Sequence, residues 1–479
     1  MINLNILFAT SEALPFVKTG GLGDVMGSLP SAVSQNNNVC VFLPFYASLK
    51  HSHGEGFEFL CSFNVVLGWR NCYAGLFHKS VNANGTLIDY YFVDNEYYFN
   101  RNCYGYNDDG ERFAFFSKAV LEAISYIDFA PDIIHCNDWQ TGYIPLFLKA
   151  HYSNSDKYCG IKTLFTIHNI EYQGKADYDF LDDVLGVSEN FKSAVMHNGL
   201  CNSMKSAIVL ADGVSTVSKT YAHEIKHVYF ANGLEAVINQ NAHKIYGIVN
   251  GIDNNIFNPE TDPYIPVKYN ENSLWLKEEN KKHMQEHFGL NQQSDVPVFA
   301  IISRLVSHKG LELVEAVFNE MMSLDIQIIV IGNGDNRFED FFKFAQYNYP
   351  GKVSANIMFD KTGASMIYAG SDFLLMPSKT EPCGLSQMIA MRYATIPIVR
   401  ETGGLVDTVE PIDLSMLTGS GITFKTFNAH DMLNAVNRAK ELYNAKDKLN
   451  YIKQNIMKID NSWSVRKKEY LKLYEKLLD

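Results

Sequence analysis

The chain reads Lys18-Thr19-Gly20-Gly21-Leu22-Gly23-Asp24-Val25 after its first apolar run, residues 4–9, and directly before a helical pattern that continues to about residue 33. This order predicts a strand, a loop and a helix, the unit from which parallel α/β sheets are built. The adjacent glycines Gly20 and Gly21 remove side chains where backbone N–H groups would approach a charged ligand. Lys18 adds a cation, and the helix offers its positive N-terminal end, so we predict a phosphate loop. A glycine-rich turn that binds nothing is the alternative, and the loop alone does not decide between them.

Two familiar phosphate loops are excluded. The dinucleotide pattern needs a third glycine where this chain has Met26, and the predicted second strand, residues 39–43, runs into Pro44-Phe45-Tyr46 without an acidic residue to hold a ribose. No Gly-Lys-Ser or Gly-Lys-Thr occurs, which excludes a P-loop. A phosphate loop at Lys18 is therefore of another kind.

Length and composition narrow the class of protein. A chain of 479 residues exceeds the size of one hydrophobic core and predicts two large domains. The formal net charge of -12 argues against nucleic acid as a partner. Eight cysteines without a Cys-x-x-Cys pair fit reduced thiols rather than a zinc site or a disulfide scaffold. Because neither a signal-peptide pattern nor a membrane-spanning apolar run is found, we expect a cytoplasmic protein with no membrane partner.

Short β-branched runs alternate with helical stretches along the whole chain, which predicts parallel sheets in two doubly wound α/β domains. The linker between them is Asn250-Gly251-Ile252-Asp253-Asn254-Asn255-Ile256-Phe257-Asn258-Pro259, rich in turn-forming residues. We place the domains at residues 1–250 and 251–459, with a C-terminal helix at 460–479 that packs back on the first. The further predicted strands are 87–93, 133–136, 163–167, 213–217, 245–249, 298–302, 326–331, 355–359, 373–377 and 396–399.

Polar and glycine-rich loops follow these strands, at the edge where open parallel sheets bind ligands. Asp138 follows the strand at 133–136, and His168 follows the strand at 163–167. In the second domain the corresponding loops begin at Ser303, Gly332, Ser378 and Glu401. We expect two binding rims that face one cleft.

Arg304 and Lys309 can place two positive charges on a diphosphate, although a pair of solvated cations is the alternative. Thr402-Gly403-Gly404 repeats the features of the first loop and offers N–H groups to a phosphate. Pro382 and Gly384 would aim the carboxylate of Glu381, which could instead be a helix cap or an ion-paired residue. No Asp-x-Asp at a strand end indicates a metal site.

Two candidates in the first domain have structural alternatives. Asp138 could be the N-cap of a helix over residues 139–149. His168, which follows a buried strand, could be a hydrogen-bonded structural histidine.

Six segments together resemble the bacterial glycogen synthases and plant starch synthases. They are 18–25, Asn137-Asp138-Trp139-Gln140-Thr141-Gly142, Thr166-Ile167-His168-Asn169-Ile170, Val249-Asn250-Gly251-Ile252-Asp253, Ser303-Arg304-Leu305 with Lys309-Gly310, and Glu381-Pro382-Cys383-Gly384-Leu385. The resemblance runs from Asn5 to the C-terminal helix. It implies the GT-B fold, in which two Rossmann-like domains face each other across a deep cleft.

The resemblance also implies an activity: retaining transfer of glucose from ADP-glucose to the 4-hydroxyl of a growing α-1,4-glucan, with a nucleotide-sugar donor, a glucan acceptor, and neither metal nor cofactor. It implies that Lys18, Arg304 and Lys309 hold the diphosphate and that Asp138 lies near the sugar and acceptor. The donor glucose would be surrounded by Asp24, His168, Asn250, Glu381, Cys383 and Gly384. Further phosphate or ribose contacts would come from Gly20, Gly21, Thr402, Gly403, Gly404 and Thr408, and Tyr368 would stack on the adenine.

Other interpretations stay open at this point. UDP-glucose could be the donor, a nucleotide-sugar epimerase can share the architecture, and an inactive glucan-binding scaffold is a third possibility. The chain departs from the family at Lys205-Ser206-Ala207, where Lys-Gly-Gly is usual, and at Gly332-Asn333-Gly334, where Gly-Thr-Gly is common. The cations and the opening loop fall on different domains, so we expect the domains to close around the donor.

Overall fold

The computed structural model describes residues 3–52, 56–83, 85–358 and 360–479. Contacts along the chain divide it into two units. Unit 1 comprises Met1–Gly251 and Trp463–Asp479, and unit 2 comprises Ile252–Ser462.

Unit 1 contains a mixed sheet with the strand order β12-β11-β7-β6-β1-β2-β5-β4-β3, counted within the described residues. The strands from β12 to β5 are parallel, and β4 and β3 continue the sheet as an antiparallel hairpin. A small antiparallel sheet has the order β8-β10-β9. The strands are β1 (Asn5–Ala9), β2 (Asn38–Pro44), β3 (Glu58–Leu67), β4 (Arg70–Ala83), β5 (Thr86–Asp94), β6 (Ile133–Asn137), β7 (Lys162–Ile167), β8 (Lys175–Ala176), β9 (Met196–His197), β10 (Leu200–Asn202), β11 (Gly213–Thr216) and β12 (Ile245–Gly247).

Helices connect the parallel strands of unit 1, as βαβ units require. They are α1 (Gly21–Val33), α2 (Ala47–Ser52), α3 (Glu96–Phe99), α4 (Asp109–Ala123), α5 (Ile144–Phe147), α6 (Lys192–Val195), α7 (Ser203–Leu210), α8 (Lys219–Glu224), α9 (Val228–Ala231) and α10 (Glu235–Gln240). The central strand β1 is buried because Ile6, Leu7 and Phe8 are fully covered.

Unit 2 contains a fully parallel sheet with the order β15-β14-β13-β16-β17-β18 in the part of the chain that is described. Its strands are β13 (Val298–Ile302), β14 (Gln327–Ile331), β15 (Val353–Asn356), β16 (Phe373–Met376), β17 (Ile396–Arg400) and β18 (Ile422–Phe424). Its helices are α11 (Lys277–His287), α12 (Leu311–Ala316), α13 (Phe318–Ser323), α14 (Asn336–Asn348), α15 (Lys361–Gly370), α16 (Ser386–Arg392), α17 (Gly404–Thr408), α18 (Ala429–Asn444) and α19 (Lys446–Met457).

The last helix, α20 (Trp463–Leu478), belongs to unit 1 although it follows unit 2 in sequence. It contacts α1, and its tyrosines Tyr470 and Tyr474 are buried. The Tyr474 hydroxyl lies 2.8 Å from Nδ1 of His135, a fully buried residue of β6. The C-terminus is therefore part of the core of unit 1.

The structure corrects several predicted elements. The hairpin of β3 and β4 was not anticipated, nor was the edge strand β18. The strand predicted at 355–359 lies at Val353–Asn356, and its last predicted residue, 359, falls outside the described residues. The helix predicted over 139–149 is broken into a 3₁₀ turn at Trp139–Thr141, α5, and a π-helical turn at Leu148–Tyr152.

Candidate active site

The glycine loop of unit 1 connects the end of β1 to the start of α1. Its shape is set by backbone hydrogen bonds from Leu14 N to the Gly23 carbonyl, at 3.0 Å, and from Val17 N to the Ala13 carbonyl, also at 3.0 Å. Lys18 Nζ lies 2.7 Å from Asp24 Oδ1 in the first turn of α1. Two predicted site residues, Lys18 and Asp24, are thus brought together as an ion pair.

The glycines of this loop have different structural roles. A Cβ atom at Gly23 would lie 2.9 Å from Cβ of Lys18, so the loop needs glycine there. A Cβ atom at Gly20 or Gly21 would have no atom of the described chain within 4 Å, its sequence neighbours and the helix's own nearby backbone aside. Gly20 also has an extended backbone, with φ at -157°, that other residues adopt. Packing therefore leaves open space at Gly20 and Gly21.

Glu12 is a site residue that the sequence reasoning missed. It lies three residues beyond β1, is 3% exposed, and binds the glycine loop. Its Oε2 accepts from the backbone N–H of Thr19 at 2.5 Å and of Gly20 at 3.2 Å, and its Oε1 accepts from the Thr19 hydroxyl at 2.7 Å. The rule that polar residues after strand ends carry chemistry would have found it, had it been applied to the residues directly after β1.

Asp138 and His168 lie at the carboxyl ends of the neighbouring strands β6 and β7 and contact each other. Asp138 stands at the N-cap position of the 3₁₀ turn Trp139–Thr141, but its side chain makes no capping hydrogen bond. Its Oδ1 accepts instead from the backbone N–H of His168 at 2.7 Å and of Asn169 at 3.3 Å. Its backbone has φ at +57°, a conformation that a non-glycine residue adopts at a cost. The pKa of Asp138 is raised to about 7, mainly by burial. The two N–H groups act in the opposite direction, and the charge of Glu12 contributes a smaller part of the rise.

His168 is held as a neutral imidazole, because burial lowers its pKa to about 3. Its Nε2 lies 3.0 Å from Oδ1 of Asn137, whose amide nitrogen donates to the carbonyls of Ala9 and His135. With the Asn137 oxygen as the acceptor, Nε2 carries the proton of His168. Nδ1 is then the nitrogen that can accept a hydrogen bond.

Two other regions of unit 1 were singled out from the sequence. Asn250 is 4% exposed, and its side-chain oxygen is buried without a hydrogen-bond partner among the described residues. Lys205-Ser206-Ala207 lies inside α7, where Lys205 Nζ donates to the Ser193 carbonyl at 2.8 Å. Ser206 and Ala207 are fully buried, so the usual glycines are replaced here by side chains that the fold packs.

In unit 2 the main contact joins Lys309 to Glu381. Lys309 Nζ lies 2.7 Å from Oε2 of Glu381, which also accepts from the Ser378 hydroxyl at 3.0 Å. Glu381 is 4% exposed. The predicted alternative of an ion-paired glutamate is therefore what the structure contains, and the pair lies between two of the predicted loops.

Three loops of unit 2, at the carboxyl ends of β13, β16 and β17, approach one another closely and are joined by backbone hydrogen bonds. Gly310 has φ at +72°, and a Cβ atom there would lie 1.9 Å from the Pro377 carbonyl. Lys379 N donates to the His308 carbonyl at 2.9 Å, and Gly404 N donates to the Glu381 carbonyl at 3.0 Å. A Cβ atom at Gly404 would lie 2.3 Å from the Cys383 carbonyl oxygen, so only glycine permits this approach.

Gln387 is a second residue that the sequence reasoning did not identify. Its Nε2 lies within hydrogen-bonding distance of the carbonyls of Cys383 and Gly384 and, at 2.9 Å, of the Thr408 hydroxyl. Thr408 in turn donates to the Gly404 carbonyl at 2.6 Å. The Thr408 hydroxyl is thus engaged within the protein, and Thr402 and Cys383 are also buried.

Arg304 and Tyr368, two further predicted site residues of unit 2, differ from each other in their exposure to solvent. Arg304 is exposed at the end of β13. Tyr368 lies in α15, is 6% exposed and has its ring centroid 6.0 Å from that of Tyr393. Its backbone carbonyl accepts from Lys277 Nζ at 3.0 Å. Because Tyr368 is almost fully buried, only a small part of its side chain is available to a ligand.

Two kinds of feature are absent from the described part of the chain. No group of three or more His, Cys, Asp or Glu side chains there is placed to hold a metal ion. Within the same residues, no helix combines the length and the hydropathy that crossing a bilayer requires.

Comparisons with known proteins identify the family to which the chain belongs. The family profile described as "Starch synthase catalytic domain" matches residues 5–240, and "Glycosyl transferases group 1" matches residues 283–457. The chain is 46% identical to a glycogen synthase of Desulforamulus reducens, over 99% of both chains. It belongs to the starch and glycogen synthase family.

Other members and structures extend the comparison. A glycogen synthase of Clostridium acetobutylicum is 44% identical over 99% of this chain and 100% of its own. The catalytic domain of starch synthase IV from Arabidopsis thaliana, solved with ADP and acarbose, is 30% identical and superposes with a TM-score of 0.92 over the full length of both chains. Sucrose-phosphate synthase from Thermosynechococcus elongatus, at 16% identity, 98% coverage of both chains and a TM-score of 0.63, shares the fold. The chain is an enzyme of the starch and glycogen synthase family with the GT-B fold.

Proposed function

We propose that this enzyme transfers glucose from ADP-glucose to the 4-hydroxyl at the non-reducing end of an α-1,4-glucan, with retention of configuration and release of ADP. The observation that carries the proposal is the contact of Lys309, Glu381 and Gly404 in unit 2, where a cation, a carboxylate and a helix N-terminus meet. Membership of the family and the ADP bound to the starch synthase structure support the choice of nucleotide.

The diphosphate would be bound by Lys309 and Arg304, with the segment Thr402-Gly403-Gly404 beside it at the start of α17. The Gly404 N–H group is already engaged by the Glu381 carbonyl, so Gly404 would serve by placing this turn close to the donor. Lys309 is already held in position by Glu381, so little ordering is needed when the donor arrives. Arg304 is exposed and can turn toward the phosphates. From unit 1, Lys18 and the open space at Gly20 and Gly21 would provide a further phosphate contact.

The donor glucose would be bound by residues whose protonation states suit hydroxyl groups. Neutral His168 would accept a hydrogen bond from a sugar hydroxyl through Nδ1. Asp24, Asn250, Glu381, Cys383 and Gly384 would complete the sugar pocket, with the unpartnered oxygen of Asn250 as a further acceptor. Asp138 would lie near the transferred glucose and the acceptor hydroxyl.

The reaction would break the bond between the anomeric carbon and the β-phosphate oxygen, and would form a bond from that carbon to the acceptor 4-oxygen on the same face. The proton of the 4-hydroxyl would pass to the departing phosphate oxygen. Lys309 and Arg304 would stabilise the negative charge that grows on the diphosphate, the role that a metal ion has in other transferases. The proposal therefore includes neither a metal nor another cofactor.

The adenine would contact Tyr368 only through the 6% of this residue that is exposed. The edge of the ring, or a shift of α15, would have to supply the stacking contact. Thr408 would act by holding Gly404 rather than by direct contact with the ligand, because its hydroxyl is already engaged.

Incubation of the purified enzyme with ADP-[¹⁴C]glucose and glycogen tests the proposal. We expect label in the precipitated glucan, and much less with UDP-[¹⁴C]glucose under the same conditions. A preference for UDP-glucose would contradict the assigned nucleotide, and conversion of the donor sugar without acceptor would indicate an epimerase. No label with either donor would contradict glucan elongation altogether.

A further inference from the structure

Glu12 is a buried carboxylate whose four close donors are all neutral. It is 3% exposed. Two donors are the backbone N–H groups of Thr19 and Gly20, and the third is the Thr19 hydroxyl. The fourth is the Tyr104 hydroxyl, 2.7 Å from Oε1. Burying a charge in this way is costly unless every lone pair is well satisfied, which explains the number of donors.

The Tyr104 side of this contact is itself fixed. The Tyr104 hydroxyl also lies 2.7 Å from the Ser11 hydroxyl. The segment that carries Tyr104 is held by Arg112, a fully buried residue that donates to the carbonyls of Tyr98, at 2.7 Å, and Asn102, at 3.0 Å. Glu12 therefore links the glycine loop to a rigid part of unit 1.

This link determines which N–H groups of the loop can face a ligand. The N–H groups of Thr19 and Gly20 point to Glu12, which already supplies an anion to them. The next N–H groups belong to the first turn of α1, from Gly21 onward, where helix geometry provides no intrahelical acceptor. A donor phosphate would meet these groups and would be kept from the side of the loop that Glu12 occupies.

We propose that Glu12 is a positioning residue that holds the glycine loop in the conformation that binds the donor, with Tyr104 as its support. This inference rests on the proposed function, because the donor is the nucleotide sugar assigned above. It also changes the expectation for Gly20: its missing side chain opens space for the ligand, but its N–H group is committed to Glu12.

The test compares Glu12→Ala, Glu12→Gln and Tyr104→Phe in steady-state kinetics, with the KM for ADP-glucose and the KM for glycogen measured separately. For Glu12→Ala we expect the donor KM to rise about tenfold, since the loop loses its anchor. Glu12→Gln should stay within about threefold of wild type, because its amide oxygen can accept from the N–H groups and its amide nitrogen can donate to the hydroxyls. The KM for glycogen should change by less than about twofold throughout.

A matched control exists in unit 1. Glu122 Oε1 accepts from the Tyr152 hydroxyl at 2.6 Å, so Glu122→Gln and Tyr152→Phe alter a similar pair in a different place. They should leave both KM values unchanged, whereas Tyr104→Phe should raise the donor KM about threefold.

The proposal is overturned if Glu12→Ala keeps the donor KM of the wild type, if both KM values rise together, or if Glu12→Gln is as impaired as Glu12→Ala. Should Glu12→Ala fail to fold, an unchanged donor KM in Tyr104→Phe overturns it equally. A wild-type enzyme that transfers no glucose would instead contradict the proposed function. In that case the role of Glu12 would still be tested by calorimetric titration of ADP into the wild type, Glu12→Gln and Tyr104→Phe. A loss of ADP affinity in Tyr104→Phe alone supports the proposal, and equal affinities in all three proteins overturn it.

Discussion

The glycine loop of unit 1 and the Glu381 segment of unit 2 each place a lysine 2.7 Å from a carboxylate, but the surroundings differ. The side chains of Lys18 and Asp24 are 25% and 18% exposed, whereas Lys309 is 19% exposed and Glu381 only 5%. Water and salt screen the first pair on both sides and the second mainly on the lysine side. Lys18 can therefore leave its carboxylate for a ligand at small cost, while Lys309 is fixed before a ligand arrives.

The buried carboxylates at the candidate site residues of the two units also differ in their partners. Glu381 faces a lysine, but Glu12 and Asp138 are bound by neutral donors. Within the described residues, no cation is among the hydrogen-bond donors to these two carboxyl groups, and burial raises the pKa of Asp138 to about 7. The candidate residues of unit 1 and those of unit 2 would accordingly respond differently to mutation and to pH.

Glu381→Ala should have the largest effect. We expect kcat to fall about 1,000-fold, because the variant loses the carboxylate that positions Lys309 and that, in the proposed function, would face the donor sugar. Label transfer from ADP-[¹⁴C]glucose measures the rate. Asp340→Ala, which removes a carboxylate with 76% of its side chain exposed in the same unit, is the control and should retain full activity. Equal rates in the two variants would assign Glu381 a structural role only.

Lys309→Ala should destabilise the protein by about 3 kcal/mol, because it leaves the buried carboxylate of Glu381 without its cation. Chemical denaturation gives the free energy of unfolding. The double variant Lys309→Ala with Glu381→Gln should recover part of this loss, since the uncompensated charge is gone. If the free energy of unfolding of Lys309→Ala fell by less than about 1 kcal/mol, the Lys309–Glu381 pair would be no stronger than an exposed pair such as Lys18–Asp24.

Asp138→Asn should stabilise the protein by roughly 4 kcal/mol at pH 8 and have little effect at pH 4 and below. The folded-state pKa of about 7 lies above the ordinary value, so the folded protein binds more protons than the unfolded chain between pH 4 and pH 7. The charged carboxylate therefore lowers stability increasingly as pH rises through this range. Asparagine keeps an acceptor for the N–H groups of His168 and Asn169 and has nearly the same shape as aspartate, so the cost of the positive φ is the same in both proteins. Melting temperatures at pH 4, 6 and 8 provide the check, and a pH-independent difference would contradict the assignment.

Lys18→Ala should have the smallest effect on stability, less than about 1 kcal/mol, because its ion pair with Asp24 is partly exposed. The donor KM should nevertheless rise about tenfold, since a phosphate contact is lost. Denaturation and donor kinetics on the same preparation separate the two quantities. A large loss of stability with an unchanged KM would reverse the comparison between the units.

Much of the fold could be predicted because the central strands are continuous apolar runs. Val298–Ile302 and Ile133–Asn137 are buried on both faces, and their side chains signal a parallel strand without further context. The β3–β4 hairpin was missed because Phe59, Val66 and Tyr73 are about half exposed, which obscures the alternation of apolar and polar residues. Strands at the edge of a sheet are thus harder to predict from the sequence than strands at its centre.

The candidate site was predictable to the extent that it follows strand ends. Asp138, His168, Lys309 and Glu381 all lie in loops that directly follow strands. Their partners were not predictable, because contacts such as that of Glu12 with Tyr104 join residues 92 positions apart. Asp138 does stand at an N-cap position, but its side chain caps nothing, for the same reason: its acceptor oxygen binds the loop after β7.

The position of α20 has a consequence for biosynthesis. Its tyrosines fill the core of unit 1 and contact His135, yet the helix is translated after the whole of unit 2. At ordinary rates of synthesis, at least roughly ten seconds separate the emergence of Gly251 from that of Trp463. During that time unit 1 lacks Tyr470 and Tyr474, which are buried in the complete fold. The first unit to be made is therefore the last to be finished, and it depends on the final residues of the chain.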